Sequence, residues 1–213
     1  PLKSQNPRLP FTNILYQSSS LYRDASNISL NPVLPLNMVT VKQLSHNSGF
    51  GTVSTINYSY ELGKYFYGSP QNRKFSGFGK IIKTNSAGTA EISYFHQGDS
   101  SNSAQGEYAD HESKIGKIYR TEIRNSTGQL YLASIQRWDK RDLGSSRNFV
   151  YQTQAVKQSW DGLSTHADSA ESFDYEDFCN ITFHTQWGEV TANSDGSFTD
   201  TGSDKRVTSM TYA

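Results

Sequence analysis

The chain has 213 residues, 20 of them basic and 20 acidic, and a single cysteine. The zero net charge argues against a general nucleic-acid or anionic-membrane surface, because phosphate binding needs clustered Lys and Arg. One cysteine excludes an intramolecular disulfide and a multi-cysteine zinc site, and an aromatic share of 13 % excludes a disordered chain. No stretch approaches the roughly 18 apolar residues of a membrane helix. The chain opens at Pro1 without a Met and reads as a piece of a longer polypeptide.

Residues 1–37 hold five of the six prolines, which remove ladder donors, so this part reads as an irregular arm. Short extended pieces are expected at Asn13–Gln17, as an edge strand, and at Leu34–Gln43. A second unit, 38–213, reads as consecutive strands. Met38–Leu44 and Thr52–Tyr60 alternate, and Gly63–Asn72 reads as a loop. Phe75–Thr84 follows, with Gly77 and Gly79 suggesting a bulge, and Thr89–His96 returns. Gln97–Ser113 is polar and rich in Gly and Ser, a surface loop. Gly116–Arg124 and Gln129–Trp138 form a second hairpin, and Asp139–Ser146 reads as a loop. The strands Asn148–Trp160, Ala170–Tyr175 and Asn180–Val190 come next. A polar loop, Thr191–Asp204, precedes a last strand at Lys205–Tyr212. No segment of ten or more residues carries a helical apolar period.

Two hairpins look alike. Gly79–Thr84, Asn85-Ser86-Ala87-Gly88 and Thr89–Tyr94 form one; Gly116–Arg124, Asn125-Ser126-Thr127-Gly128 and Gln129–Tyr131 form the other. A looser third copy runs from Tyr175 to Thr182. Repeated hairpins predict an all-β fold, a curved antiparallel sheet of consecutive hairpins.

These residues carry a resemblance. Phe75-Ser76-Gly77-Phe78-Gly79-Lys80, then Tyr94-Phe95-His96-Gln97-Gly98-Asp99, then Gly116-Lys117-Ile118-Tyr119-Arg120-Thr121-Glu122 resemble the shell-forming part of bacterial RHS/YD-repeat proteins. More narrowly, they resemble the SpvB-type region of insecticidal toxin complex B components. Asn180-Ile181-Thr182 through Trp187-Gly188-Glu189-Val190 and the closing strand fit the same family. The third hairpin departs from it: Tyr175-Glu176 stands where the repeats have Tyr-Asp, and Cys179 where a turn glycine is usual.

The resemblance implies a piece of a large secreted or surface polypeptide whose β-strands build a hollow shell around a C-terminal effector. The implied partners are neighbouring segments of the same polypeptide and that effector. Neither nucleic acid nor membrane insertion by this segment is implied.

Several constellations bear on chemistry. Cys179 with His184 five residues on is a thiol–imidazole pair, read here as a turn residue and a strand residue. His96, Asp99, Asp110, His111 and Glu112 are competent metal ligands, but they lack a compact signature and read as a polar loop. Asn193-Ser194-Asp195-Gly196 with Asp200 and Asp204 suggests a calcium loop, yet the EF-hand register puts Gly202 where a bidentate Glu is needed. Tyr65, Phe66, Tyr67, Trp138, Trp160 and Trp187 would suit sugar stacking, and otherwise pack in the sheet. Scattered Lys and Arg interleave with acids and read as cross-strand ion pairs. Sequons at Asn27, Asn57, Asn125 and Asn180 are what an Asn/Ser/Thr-rich chain produces by chance.

The expectation is a non-catalytic structural module without catalytic residues, metal or cofactor. The alternative is a surface adhesion module that binds carbohydrate.

Overall fold

The computed structural model describes residues 9–50, 53–100 and 102–212. They form one antiparallel sheet of twelve strands, with no α-helix among the described residues. The strands are β1 (Phe11–Ser18), β2 (Val39–Asn47), β3 (Val53–Tyr67), β4 (Arg73–Asn85), β5 (Ala90–Phe95) and β6 (Ile118–Arg124). There follow β7 (Leu130–Asp142), β8 (Asn148–Ser159), β9 (Ala167–Tyr175), β10 (Ile181–Ala192), β11 (Phe198–Asp200) and β12 (Arg206–Ser209). Spatial order follows chain order from β1 to β11, and β12 also pairs with β10, beside its Phe183–Gln186 segment. The expected all-β hairpin sheet is present, with β1 at its edge.

One turn geometry recurs. In Asp24–Asn27, Asn85–Gly88, Asn125–Gly128, Glu176–Cys179 and Asn193–Gly196, the fourth N–H donates to the first carbonyl at 3.0 Å. The fourth residue has φ of 62°, 82°, 83°, 70° and 81° respectively. This is a tight turn closed by one left-handed residue, the geometry of a bulged hairpin. Asp24, Asn85 and Asn125 also accept two later backbone N–H groups through Oδ1, which explains a short polar acceptor at the first position. Cys179 occupies the glycine position of this motif with a positive φ, so the looser third hairpin is a true copy in backbone terms.

Three expected loops are shorter than their sequence suggests. The Gly63–Asn72 loop is a strand as far as Tyr67, paired with β4 down to Tyr67 opposite Arg73. The ladder slips between Gly63 and Tyr65, and side chains fill the gap: Asn31 Oδ1 accepts from Gly63 N at 2.7 Å and Gln97 Nε2 donates to Leu62 O at 2.7 Å. The Asp139–Ser146 loop is likewise strand to Asp142, opposite Asn148. Its charged residues hid the alternation, because Arg141 reaches the carbonyls of Tyr175 and Glu176 instead of closing a turn. The Thr191–Asp204 loop holds the β10–β11 hairpin. The Leu34–Gln43 and Lys205–Tyr212 pieces are strands only from Val39 and only over Arg206–Ser209. Thr52, the first residue of an expected strand, lies outside the described residues.

The sheet coils. β6 and β10 are four strands apart, about 19 Å at sheet spacing, more than an arginine spans in a flat sheet. Yet Arg120 of β6 donates to Ser194 O in the β10–β11 turn at 2.8 Å. Gln154 and Gln158 of β8 reach Gly196 O and Ala192 O. The face so covered carries the core: Ile135, Val156 and Ala170 lie side by side across β7, β8 and β9, with Val190 and Ala192 beyond. Trp187 and Phe198 pack against this cluster.

At the other end the segment between β1 and β2 covers only part of the sheet, with Tyr22 buried against Tyr60 and Thr40. Phe11, Ile14, Leu15 and Tyr16 of β1, Val39 of β2 and Val53 of β3 are all exposed. Residues between β1 and β2 are anchored by Asn31, whose amide donates to Ser19 O and Tyr60 O.

Candidate functional site

The loop after β5, residues 97–117, has the composition of a surface loop but holds the most buried charges of the molecule. Glycines at 98, 106 and 116 take positive φ and let it fold back on itself. It brings together His96, Glu107 and Asp110, whose side chains are 0 %, 2 % and 1 % exposed. His96 Nδ1 lies 3.0 Å from Asp110 Oδ1 and 3.4 Å from Glu107 Oε1.

Each carboxylate is held by the backbone. Asp110 Oδ2 accepts from the N–H groups of Gln97, Gly98 and Ser100 at 3.3, 2.7 and 2.9 Å, and from the Ser100 hydroxyl at 3.0 Å. Its Oδ1 accepts from His111 N at 2.8 Å. Glu107 Oε2 accepts from Asn102 N at 2.8 Å, and Oε1 from the Ser100 hydroxyl at 3.0 Å. Lys114, itself buried, donates Nζ to the carbonyls of Tyr108, Ala109 and Trp138 and locks the loop to β7.

The electrostatics follow from these contacts. Burial works against protonating His96, but hydrogen bonds to Asp110 and Glu107 outweigh it, and its pKa is raised. Burial likewise works against ionising Asp110, yet hydrogen bonds from His96 and Ser100 hold its pKa down at about 2. Burial lowers Lys114, partly offset by Asp139 and Asp110, and pushes the Tyr119 hydroxyl well up. Tyr119 meets the His96 ring edge-on at 5.3 Å.

Of the five potential ligands read in the sequence, only His96 and Asp110 converge. Asp99 pairs with Lys64, His111 Nδ1 accepts from its neighbour Ser113, and Glu112 engages Asn72 and Lys74. Glu107 and Lys114 were not foreseen. No periodicity marks a buried charge inside a Gly/Ser-rich loop.

The other constellations do not assemble. His184 bonds Glu171 at 3.1 Å and stacks on Phe173, while Cys179 sits at a turn tip near Asp177 O. Asp195 accepts from Ser197, and Asp204 from Glu189 N, so the two carboxylates serve separate backbone groups. Trp138 donates to Ile118 O under Lys117, Trp160 packs on His166, and Trp187 packs on Phe198 under Lys205. Phe66 is buried and Tyr65 half-buried; only Tyr67 of that trio is exposed. Apart from Tyr67, these aromatics are therefore spent on packing. Cross-strand ion pairs do form at Lys83–Glu91 and Lys80–Glu61, at 3.0 and 2.8 Å.

The architecture is that of a coiled wall of consecutive antiparallel strands, with one end covered and the other largely bare. Solved toxin-complex chains contain the same fold. The chain is similar to TcdB2-TccC3 without its hypervariable C-terminal region, with a TM-score of 0.66 and 12 % identity over 83 % of this chain and 11 % of that one. It is similar also to TcdB2-TccC3-Cdc42, with a TM-score of 0.65 and 12 % identity over 84 % and 12 % of the two chains. This chain thus spans about an eighth or less of those chains. No family model and no curated protein matches the sequence.

Proposed function

We propose that this chain is a non-catalytic wall segment of a large RHS-type toxin polypeptide, part of a β-shell that encloses a cargo segment of the same polypeptide. The observation that carries this reading is the largely uncovered end of the sheet. Phe11, Leu15, Tyr16, Val39 and Val53 are apolar and exposed around a β1 edge that is unpaired among the described residues. β1 itself, Phe-Thr-Asn-Ile-Leu-Tyr-Gln-Ser, has no charge and no proline to block further pairing. A self-contained domain blunts such an edge, whereas a wall segment continues into its neighbours. The likeness to toxin-complex chains supports the same reading at the level of fold.

The test is site-specific photo-crosslinking in the full-length polypeptide that carries this chain. A probe at Val39 or Val53 is expected to crosslink within the same polypeptide. Crosslinking only to an external glycoprotein, or glycan-array binding lost on changing Tyr67, would replace the shell reading with adhesion.

A further inference from the structure

We propose that His96 Nδ1, Glu107 Oε1 and Asp110 Oδ1 form a site for one divalent transition-metal ion of the zinc class, which staples the 97–117 loop to the sheet. This goes beyond the shell reading and does not depend on it.

The argument begins with spacing. Two ligand atoms each about 2.0–2.2 Å from a tetrahedral zinc lie roughly 3.2–3.6 Å apart. The Nδ1–Oδ1 and Nδ1–Oε1 separations are 3.0 and 3.4 Å, and all three atoms lie within 4.8 Å of one another. The two imidazole–carboxylate distances therefore need shifts of only tenths of an ångström, and the two carboxylate oxygens close in from no more than 4.8 Å.

The lone pairs agree. Asp110 Oδ2 and Glu107 Oε2, the outward oxygens, are taken up by backbone amides. Each inward oxygen carries one other donor, His111 N–H on Oδ1 and the Ser100 hydroxyl on Oε1. An sp² oxygen accepts two hydrogen bonds, so each keeps one lone pair directed at His96. Ligating carboxylates are ordinarily fixed by such outer hydrogen bonds. His96 Nε2 is buried without a partner, so no other hydrogen bond draws the ring away from the cluster.

In the metal-free chain the Nδ1 proton bridges the two carboxylates. Metal binding replaces it: Nδ1 gives up its proton to solvent and donates the freed lone pair to the ion, while both carboxylates stay ionised. One imidazole, two carboxylates and no thiolate suit zinc, cobalt or manganese over copper(I).

Chelator-treated protein titrated with Co²⁺ and, separately, Zn²⁺ tests the site. One equivalent of Co²⁺ should give a visible d–d absorption band. Zn²⁺ at a hundredfold excess over Kd should raise Tm by roughly 5–10 °C. Both effects should vanish in His96→Gln and Glu107→Gln and persist in His184→Gln. Should the cluster variants fail to fold, zinc-soaked crystals of the unaltered chain decide through an anomalous peak between the three atoms. No Co²⁺ band and no Zn²⁺ shift, binding that survives His96→Gln, or an anomalous map empty at this position would each overturn the proposal.

Discussion

The two ends of this sheet are built from similar residues and reach opposite outcomes. Strands β6 to β10 bury Ala133, Ile135, Val156, Ala170 and Val190 on one face, under the 97–117 loop and the β10–β11 turn. Strands β1 to β3 carry Phe11, Ile14, Leu15, Tyr16 and Val53, larger on average, and leave them in water. Hydrophobicity does not separate the two ends; a lid does. At the covered end the lid is polar inside, held by His96, Glu107, Asp110 and Lys114, and the core beneath it is small. Gly106 and Gly196 both press on Ile135, where a side chain on either would collide with it. The thin apolar fraction of the chain is thus offset by buried charge at one end, hydrogen-bonded save for His96 Nε2, and left largely unanswered at the other.

The contrast breaks most severely at the lid. Asp110→Ala strips the acceptor from several backbone amides and from His96, and should cost about 3–5 kcal/mol, measured by urea denaturation. Next comes the core under it: Ile135→Ala should cost about 2–4 kcal/mol. Val39→Ala at the bare end should change stability by less than about 0.5 kcal/mol in the same measurement. Equal costs at the two ends would erase the distinction.

The lid should also respond to pH in chelator-treated protein. The folded pKa of Asp110 is lowered to about 2 from 3.8, so its contribution is present above about pH 4 and lost as pH falls towards 2. That limb is worth about 2 kcal/mol. His96 has the opposite sign: its pKa is raised above 6.5, so its contribution is full below that value and lost as pH rises through the folded pKa. Stability should therefore be greatest between about pH 4 and 6.5, and His96→Gln should flatten the alkaline limb and, because His96 helps hold Asp110 down, shrink the acid limb as well. One further effect lies outside both ends. Cys179 holds φ at 70°, where a glycine is unstrained. Cys179→Gly should raise stability by about 1 kcal/mol, read as a rise in Tm of roughly 2–4 °C.

The sequence reveals the sheet more clearly than the lid. The hairpins at Asn85–Gly88 and Asn125–Gly128 were legible because their turns announce themselves locally, with Asn first and Gly fourth, and because Ile92, Tyr94 and their neighbours alternate. The Asn193–Gly196 turn obeys the same rule, but its acidic surroundings directed attention to calcium. Strand ends at Tyr65–Tyr67 and Asp139–Asp142 escaped because consecutive aromatics or charges conceal alternation. The cluster was half legible: His96 and Asp110 stand out as ligand types, but Glu107 and Lys114 are buried only because three glycines fold the loop inward. That is tertiary information, and no local pattern encodes it. The edge position of β1 in this chain was legible because prolines crowd the arm on either side of it.

The central claim is that the β6–β10 end is self-supporting while the β1–β3 end waits for a neighbour. Amide hydrogen exchange on this chain as a monomer tests it most directly. Amides of β7, β8 and β10 should exchange only through global unfolding, and those of β1 and β2 orders of magnitude faster, through local opening. Uniform protection from β1 to β10 in the monomer would contradict the account.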